Sequence, residues 1–135
     1  MAKPAVKQLS IMIIDDDPIF RDLLKLMLEK QGGSKVTAAG NARTALEFLK
    51  HGAEDIQLIL LDLDMPDMNG VAFLQSIRGS HDRKIADMPV VIVTGHDSEK
   101  VKQGMEPFRI LGLLGKPPDM ARLETLLNSI RQSAG

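Results

Sequence analysis

The sequence contains no cysteine, tryptophan or tyrosine, and four phenylalanines are its only aromatic residues. Without cysteine the chain can form no disulfide, no thiolate nucleophile and no thiolate-ligated zinc site. With so few rings it offers no stacking platform for nucleic-acid bases. The core therefore has to be built from Leu, Ile, Val and Met.

The sequence also lacks an excess of charge of either sign and any long apolar run. Seventeen Lys and Arg oppose eighteen Asp and Glu, for a net charge of −1. No apolar run approaches the ~20 residues of a membrane span, and the residues before Ser10 lack the apolar core of a signal peptide. We therefore expect no direct binding of nucleic acid or membrane through bulk charge, and a cytoplasmic location.

The apolar runs alternate with amphipathic helical patterns over 135 residues, the length of a single domain. The predicted strands are Leu9–Ile14, Lys35–Ala39, Ile56–Leu61, Pro89–Val93 and Leu111–Leu114. Strict alternation predicts a doubly wound α/β fold, with a five-stranded parallel sheet of flavodoxin-like order 2-1-3-4-5. We expect one domain over residues 1–135, with its core at about 9–132.

The helices are predicted from caps and apolar spacing. Asp17 is a good N-cap for the first helix, and Pro18 suits its first turn. The fourth helix should be short or irregular because of Gly104 and Pro107, and Gly79–Asp87 should be a loop with a frayed helix end. One buried face of the first helix is expected to comprise Phe20, Leu23, Leu24, Met27 and Leu28.

Polar side chains follow several of the predicted strands. Asp15 and Asp16 follow the first strand and Asp62 the third, and these two strands flank the point where the strand order reverses. Three carboxylates at one edge repel each other and suit a hard divalent cation such as Mg²⁺. Thr94 and Lys116, at the ends of strands four and five, add a hydroxyl donor and a positive charge.

This set of residues fits phosphoryl transfer, in which charge neutralisation and positioning carry most of the catalysis. An aspartate can itself be the nucleophile and form an aspartyl phosphate. Any single Asp after a strand could instead be only a helix cap or a loop residue.

The ordered motifs resemble those of response-regulator receiver domains, the family of the chemotaxis response regulator, over about residues 9 to 132. The matching segments are Ile14-Asp15-Asp16 with Arg21, Leu61-Asp62-Leu63-Asp64-Met65-Pro66 with Gly70, Val93-Thr94-Gly95, and Lys116-Pro117. Each motif alone is weak, but the ordered set is specific.

The resemblance implies a metal site for Mg²⁺ or Mn²⁺. Asp16 and Asp62 would bind the ion directly, and Asp15 would bind it through a water. The backbone carbonyl of Asp64 would complete the protein ligands.

The resemblance also implies roles in phosphoryl transfer. Asp62 would accept the phosphoryl group from a histidine kinase or a histidine phosphotransfer protein, and Thr94 and Lys116 would contact it. The Lys116–Pro117 bond would be cis. Asp64, Gly95 and His96 would line the site, and Asp64→Asn is expected to alter the autodephosphorylation rate. The chain would be a phosphoacceptor that catalyses its own phosphorylation and dephosphorylation, and otherwise not an enzyme.

The chain departs from the family pattern near its output. Many members carry a Tyr or Phe in strand five, and here the corresponding residue is Leu113. The family's output face, formed by helix four, strand five and helix five, would still bind a downstream protein, but the usual aromatic switch is in doubt. The chain could be a stand-alone regulator or a piece of a longer one.

Two alternatives stay open at this point. Asp62-Leu63-Asp64 also fits the DxD core of haloacid-dehalogenase-like phosphatases. Those enzymes, however, carry the nucleophile on the first strand and further acidic ligands after the lysine. The other alternative is a receiver-like interaction module that is never phosphorylated.

Overall fold

The structure is a computed structural model that describes residues 8–30, 34–51, 55–63, 70–95 and 98–133, without the side chains of 98–100 and 133. Its strands are β1 (Leu9–Ile14), β2 (Ser34–Ala39), β3 (Leu58–Leu61), β4 (Val90–Thr94) and β5 (Gly112–Gly115). Its helices are α1 (Pro18–Lys30), α2 (Ala42–His51), α3 (Gly70–Arg78), α4 (Arg83–Ala86), α5 (Ser98–Met105) and α6 (Met120–Ser133). A 3-10 turn, Glu106–Phe108, follows α5.

The five strands form one parallel sheet in the order β2-β1-β3-β4-β5, which confirms the predicted fold. The ends of several strands differ by one or two residues from the predicted ends. Ile56 and Gln57 lie before β3, although Gln57 still exchanges hydrogen bonds with the backbone of Ser10. Leu111 lies before β5 and donates its backbone N–H to the carbonyl of Val90.

Alternate residues of each central strand enter opposite cores, because side chains along a strand point to opposite faces. In β1, Ile11 and Ile13 face the core beneath α1 and α6, whereas Met12 and Ile14 face the core beneath α2, α3 and α5. The strands β1, β3, β4 and β5 carry apolar residues at their centres, as expected for strands covered on both faces, whereas the edge strand β2 carries Thr37. The sheet is therefore buried between two helical layers.

The predicted buried face of α1 was partly wrong. Leu24 and Leu28 are fully buried, but Leu23 is 47% exposed. The buried stripe is narrower than the apolar pattern, because a helix on the outside of a sheet presents only one side to it. Leu23 instead joins Ile19, 79% exposed, and Leu26, 57% exposed, on the outer side. We call these three residues the α1 stripe.

The segment predicted as a loop, Gly79–Asp87, contains the short helix α4. Asp82 caps it by accepting a hydrogen bond from the backbone N–H of Lys84. Arg78 anchors the end of this helix by donating hydrogen bonds to the carbonyls of Ala86 (2.9 Å) and Met88 (2.8 Å). It also donates to the carbonyl of Phe108 (2.7 Å). With α4 counted, the helices predicted as fourth and fifth are α5 and α6.

None of the helices in the described parts of the chain combines the length and the hydrophobicity that crossing a membrane requires.

Candidate phosphoryl-transfer site

Asp15, Asp62 and Lys116 are the first residues after β1, β3 and β5. In each strand the side chain two positions earlier, Ile13, Leu60 or Leu114, faces the core beneath α1 and α6. Side chains alternate between the two faces of the sheet along a strand. If this alternation continues for one residue past each strand, all three polar side chains point to the α1 and α6 side. The register of the sheet thus explains why residues 101 positions apart meet.

Lys116 is the centre of the contacts at this edge. Its Nζ lies 2.7 Å from Oδ2 of Asp15 and 3.4 Å from Oδ2 of Asp62. Both carboxylates are buried, and the Lys116 side chain is 24% exposed. Burial favours the neutral amine, but the hydrogen bond and charge of Asp15, then the charge of Asp62, outweigh it and raise the pKa of Lys116. The ammonium is therefore held firmly in its charged form.

Asp15, Asp16 and Asp62 form an acidic cluster that could hold a metal ion. One carboxylate oxygen from each lies within 4.8 Å of the others, and Asp16 is exposed whereas the other two are buried. An all-oxygen carboxylate set is the type that Mg²⁺ and Mn²⁺ prefer. The ammonium of Lys116 already lies against two of these carboxylates, so the pocket accommodates positive charge. The residues present fit a divalent cation.

Backbone hydrogen bonds fix the carboxylates in place. The N–H of Asp62 donates to the carbonyl of Ile14, and the N–H of Asp15 donates to that of Ala39. Arg21 supports the turn after β1 by donating from Nη1 to the Asp15 carbonyl at 2.8 Å. A Cβ on Gly40 would lie 3.0 Å from that nitrogen, so the glycine leaves room for the guanidinium.

Gly70 is required beside Asp62 by close approach. A Cβ there would lie 2.7 Å from the Cα of Leu63 and 2.9 Å from the carbonyl oxygen of Asp62. Its N–H also donates to the Leu63 carbonyl at 2.9 Å. The start of α3 is therefore packed directly against the backbone that follows Asp62.

The remaining predicted residues divide into two groups. Thr94 is fully buried as the last residue of β4, next to β3 in the sheet, and Gly95 follows it as an exposed residue. The predictions for Asp64 and His96 concern positions outside the described residues. The peptide bond between Lys116 and Pro117 is cis, as the resemblance implied.

Leu113 lies on the other face of the sheet from Lys116. It is buried in the core beneath α5 and forms part of the floor of an open groove of about 550 Å³. Apolar side chains, among them Met105 and Leu126, line this groove. Lys102, Arg109 and Arg122 bring three positive charges to it, against one negative charge from Glu106.

The sequence reasoning missed one residue of the site, Phe20 in the first turn of α1. It was assigned to the core, yet its ring centroid lies 4.6 Å from Nζ of Lys116. No motif signals this contact, because it joins the start of α1 to a residue that is 96 positions away in the sequence, directly after β5.

Comparison with known proteins gives the family directly. Residues 11–128 match the response regulator receiver domain family. The chain is 33% identical to response regulator Rre1 of Synechocystis sp., over 99% of this chain and 55% of that protein. It is 35% identical to the regulatory protein LuxO of Vibrio vulnificus, over 76% of this chain and 21% of that protein.

These curated relatives are much longer than the matched segment, since the chain spans about half of Rre1 and a fifth of LuxO. Among solved structures, a response regulator receiver protein from Pseudomonas putida superposes with a TM-score of 0.78 at 26% identity. That match covers 93% of this chain and 99% of the other. The chain belongs to the response regulator receiver domain family, whose members carry phosphorylation-based signals in two-component systems.

Proposed function

We propose that this chain is a phosphoacceptor whose Asp62 receives a phosphoryl group from a phosphohistidine on a histidine kinase or histidine phosphotransfer protein. The observation that carries the proposal is the pairing of a buried Asp62 with Lys116 at 3.4 Å, within the cluster that Asp62 forms with the carboxylates of Asp15 and Asp16. A carboxylate oxygen of Asp62 attacks phosphorus, the P–N bond breaks, and its electron pair returns to the imidazole. The product is an aspartyl phosphate.

Asp15, Asp16 and Asp62 would hold Mg²⁺, with Mn²⁺ as a substitute and the Asp64 carbonyl as a further ligand. Bound there, the ion supplies positive charge that offsets the repulsion between the carboxylates and the incoming phosphoryl oxygens. Lys116 adds a second positive charge to the same oxygens. Thr94 would donate its hydroxyl to the phosphoryl group, and Asp64, Gly95 and His96 would tune its lifetime.

The chain would catalyse its own phosphorylation and dephosphorylation without turning over other substrates. A haloacid-dehalogenase-like phosphatase fits less well, because the acidic pair Asp15 and Asp16 follows β1 and so comes before the nucleophile in the chain, and because Asp15 contacts the lysine directly. We propose a single receiver domain over residues 1–135, acting in the cytoplasm.

The α1 stripe would dock the donor protein. Ile19, Leu23 and Leu26 recur at the spacing of one helix face, and Ile19 is only three residues beyond Asp16. An exposed apolar surface beside a reactive centre fits a partner that must bring its phosphohistidine to that centre. The partner face would be apolar, as on an amphipathic helix.

The downstream protein would bind at the face formed by α5, β5 and α6. The groove there offers apolar walls and a net positive rim, so it fits a protein segment that carries apolar side chains flanked by carboxylates. Leu113, on the floor of the groove, is in register with Ile92 of β4, two residues before Thr94. A shift at Thr94 on phosphorylation would thereby reach the groove without a strand-five aromatic.

The test is intact-mass measurement after incubation with acetyl phosphate and Mg²⁺. Wild type should gain one phosphoryl group and Asp62→Ala none, whereas Asp17→Ala, which alters a nearby capping carboxylate outside the cluster, should gain one like wild type. Modification of both wild type and Asp62→Ala, or of neither, would overturn the proposal. Turnover of a generic phosphate ester would favour the phosphatase.

A further inference from the structure

Three groups surround the ammonium of Lys116 in the described part of the site. Two are the carboxylates of Asp15 and Asp62, and the third is the face of the Phe20 ring, with its centroid 4.6 Å from Nζ. Phe20 is half-buried at the edge of the core beneath α1 and α6. It therefore approaches Lys116 from the same side of the sheet as the two carboxylates.

The chemistry of the proposed function changes two of these three partners. Asp62 loses its carboxylate charge when it forms the acyl phosphate, and Asp15 would turn its charge toward the cation in the acidic cluster. The ring is the one partner of the three that neither accepts the phosphoryl group nor serves as a ligand. Its attraction for a cation arises from the ring quadrupole and is the same before and after transfer.

From this arrangement we propose that Phe20 is a positioning residue, which holds the Lys116 ammonium at the mouth of the site through a cation–π contact while phosphoryl transfer to Asp62 takes place. The proposal rests on the function proposed above. A lysine side chain is a flexible stem of four carbons that carries a compact positive charge. Without the ring, Lys116 would spend more time in solvent once its carboxylates are engaged, and fewer molecules would present it to the phosphoryl oxygens.

The opposing view is that Phe20 only fills space beside the core. Fluorinated phenylalanines separate the two, because successive fluorines weaken the negative face of the ring while nearly preserving its shape and apolar character. If Phe20 only fills space, the rate of phosphorylation should not depend on the number of fluorines. If it acts through a cation–π contact, the rate should fall progressively as fluorines are added.

The experiment places 4-fluoro-, 3,5-difluoro- and 3,4,5-trifluorophenylalanine at position 20 of the full chain and measures the rate of phosphorylation by acetyl phosphate with Mg²⁺. We expect a progressive fall that reaches about threefold to tenfold for the trifluoro ring. The same series at Phe48, which is exposed on α2, is the matched control and should leave the rate unchanged. Thermal unfolding of each protein checks that every variant is fully folded at the temperature of the rate measurement.

A second readout needs no phosphodonor or metal. In the metal-free protein, the ε-methylene protons of Lys116 should show an upfield ring-current shift, and Phe20→Leu should abolish it. A rate that is flat across the series at position 20, or an ε-methylene shift that is the same in Phe20→Leu, would overturn the role of Phe20. Failure of wild type to be phosphorylated at all would instead refute the proposed function, so the two failures are distinguishable.

Discussion

At the scale of single residues, the site depends on close packing of backbone as much as on its charged groups. Arg21 reaches the Asp15 carbonyl past Gly40, where an added Cβ would lie 3.0 Å from its Nη1, and α3 begins against Asp62 only because residue 70 is glycine. Neither glycine touches the reacting atoms. Both decide where the carboxylates lie, and small displacements of such groups are costly to a reaction that depends on alignment.

Gly70→Ala should therefore slow phosphorylation and destabilise the fold. Its Cβ would meet backbone atoms of Asp62 and Leu63 at 2.7 to 2.9 Å, and backbone cannot move aside as a flexible side chain can. We expect a loss of about 1–3 kcal/mol in the free energy of unfolding, measured with urea, and a slower reaction with acetyl phosphate.

The matched control is Gly104→Ala in α5, where an added Cβ has no neighbour within 4 Å. That variant should be as stable as wild type or more stable by up to about 1 kcal/mol. If Gly70→Ala unfolds and reacts like wild type, the packing account of the Asp62 backbone is wrong.

At the scale of elements, the helix α1 serves two surfaces. Its inner side packs Leu24 and Leu28 against the sheet, and its outer side exposes the α1 stripe. In the proposed function the outer side recognises the donor protein. Small phosphodonors do not need that surface, so its contribution can be measured separately from the chemistry.

The double variant Ile19→Ser and Leu23→Ser should slow transfer from a phosphohistidine-carrying donor protein by tenfold or more. The reason is that the lost apolar contacts contribute about 1–2 kcal/mol to binding of the donor. Its rate with acetyl phosphate should stay at the wild-type value. Leu111→Ser, which removes an apolar side chain exposed to a similar degree away from α1, is the control. Equal slowing with both donors would show that the stripe acts on the site itself rather than on docking.

The elements also show how far the sequence could predict the structure. The strand order, the cap at Asp17, and the meeting of Asp15 with Asp62 follow from local patterns and the rules of parallel sheets. The helix α4 does not, because its four residues are held by hydrogen bonds from Arg78, which lies outside the helix and also binds the distant carbonyl of Phe108. The exposure of Leu23 and the contact of Phe20 with Lys116 were missed for a similar reason, since both depend on tertiary packing of α1 rather than on its local pattern.

At the scale of the whole molecule, the ion pairs of Lys116 connect three strands. The ammonium ties the residue after β5 to those after β1 and β3, so this edge of the sheet is joined by charge as well as by hydrogen bonds. The pKa of Lys116 is raised above its ordinary value of 10.5 by Asp15 and Asp62 in spite of burial. Its contribution to stability should therefore depend on pH in the alkaline range.

Because the folded protein binds this proton more tightly than the unfolded chain does, the stabilisation is fully present below about pH 10.5 and is lost as the pH rises through the raised pKa. In metal-free protein, the difference in free energy of unfolding between wild type and Lys116→Met should be constant from about pH 7 to about pH 10.5 and shrink above it. Lys50→Met, at an exposed position, is the control for removing one lysine charge. A difference that grows with pH would contradict the assigned direction.

The most direct test of the central claim is to locate the phosphoryl group. Protein treated with acetyl phosphate and Mg²⁺ is reduced with borohydride, which converts an acyl phosphate to a stable alcohol, and its peptides are mapped by mass spectrometry. We predict that the modification lies at Asp62 and disappears when Mg²⁺ is removed. Modification at Asp15 or at Asp16, with Asp62 unchanged, would contradict the account.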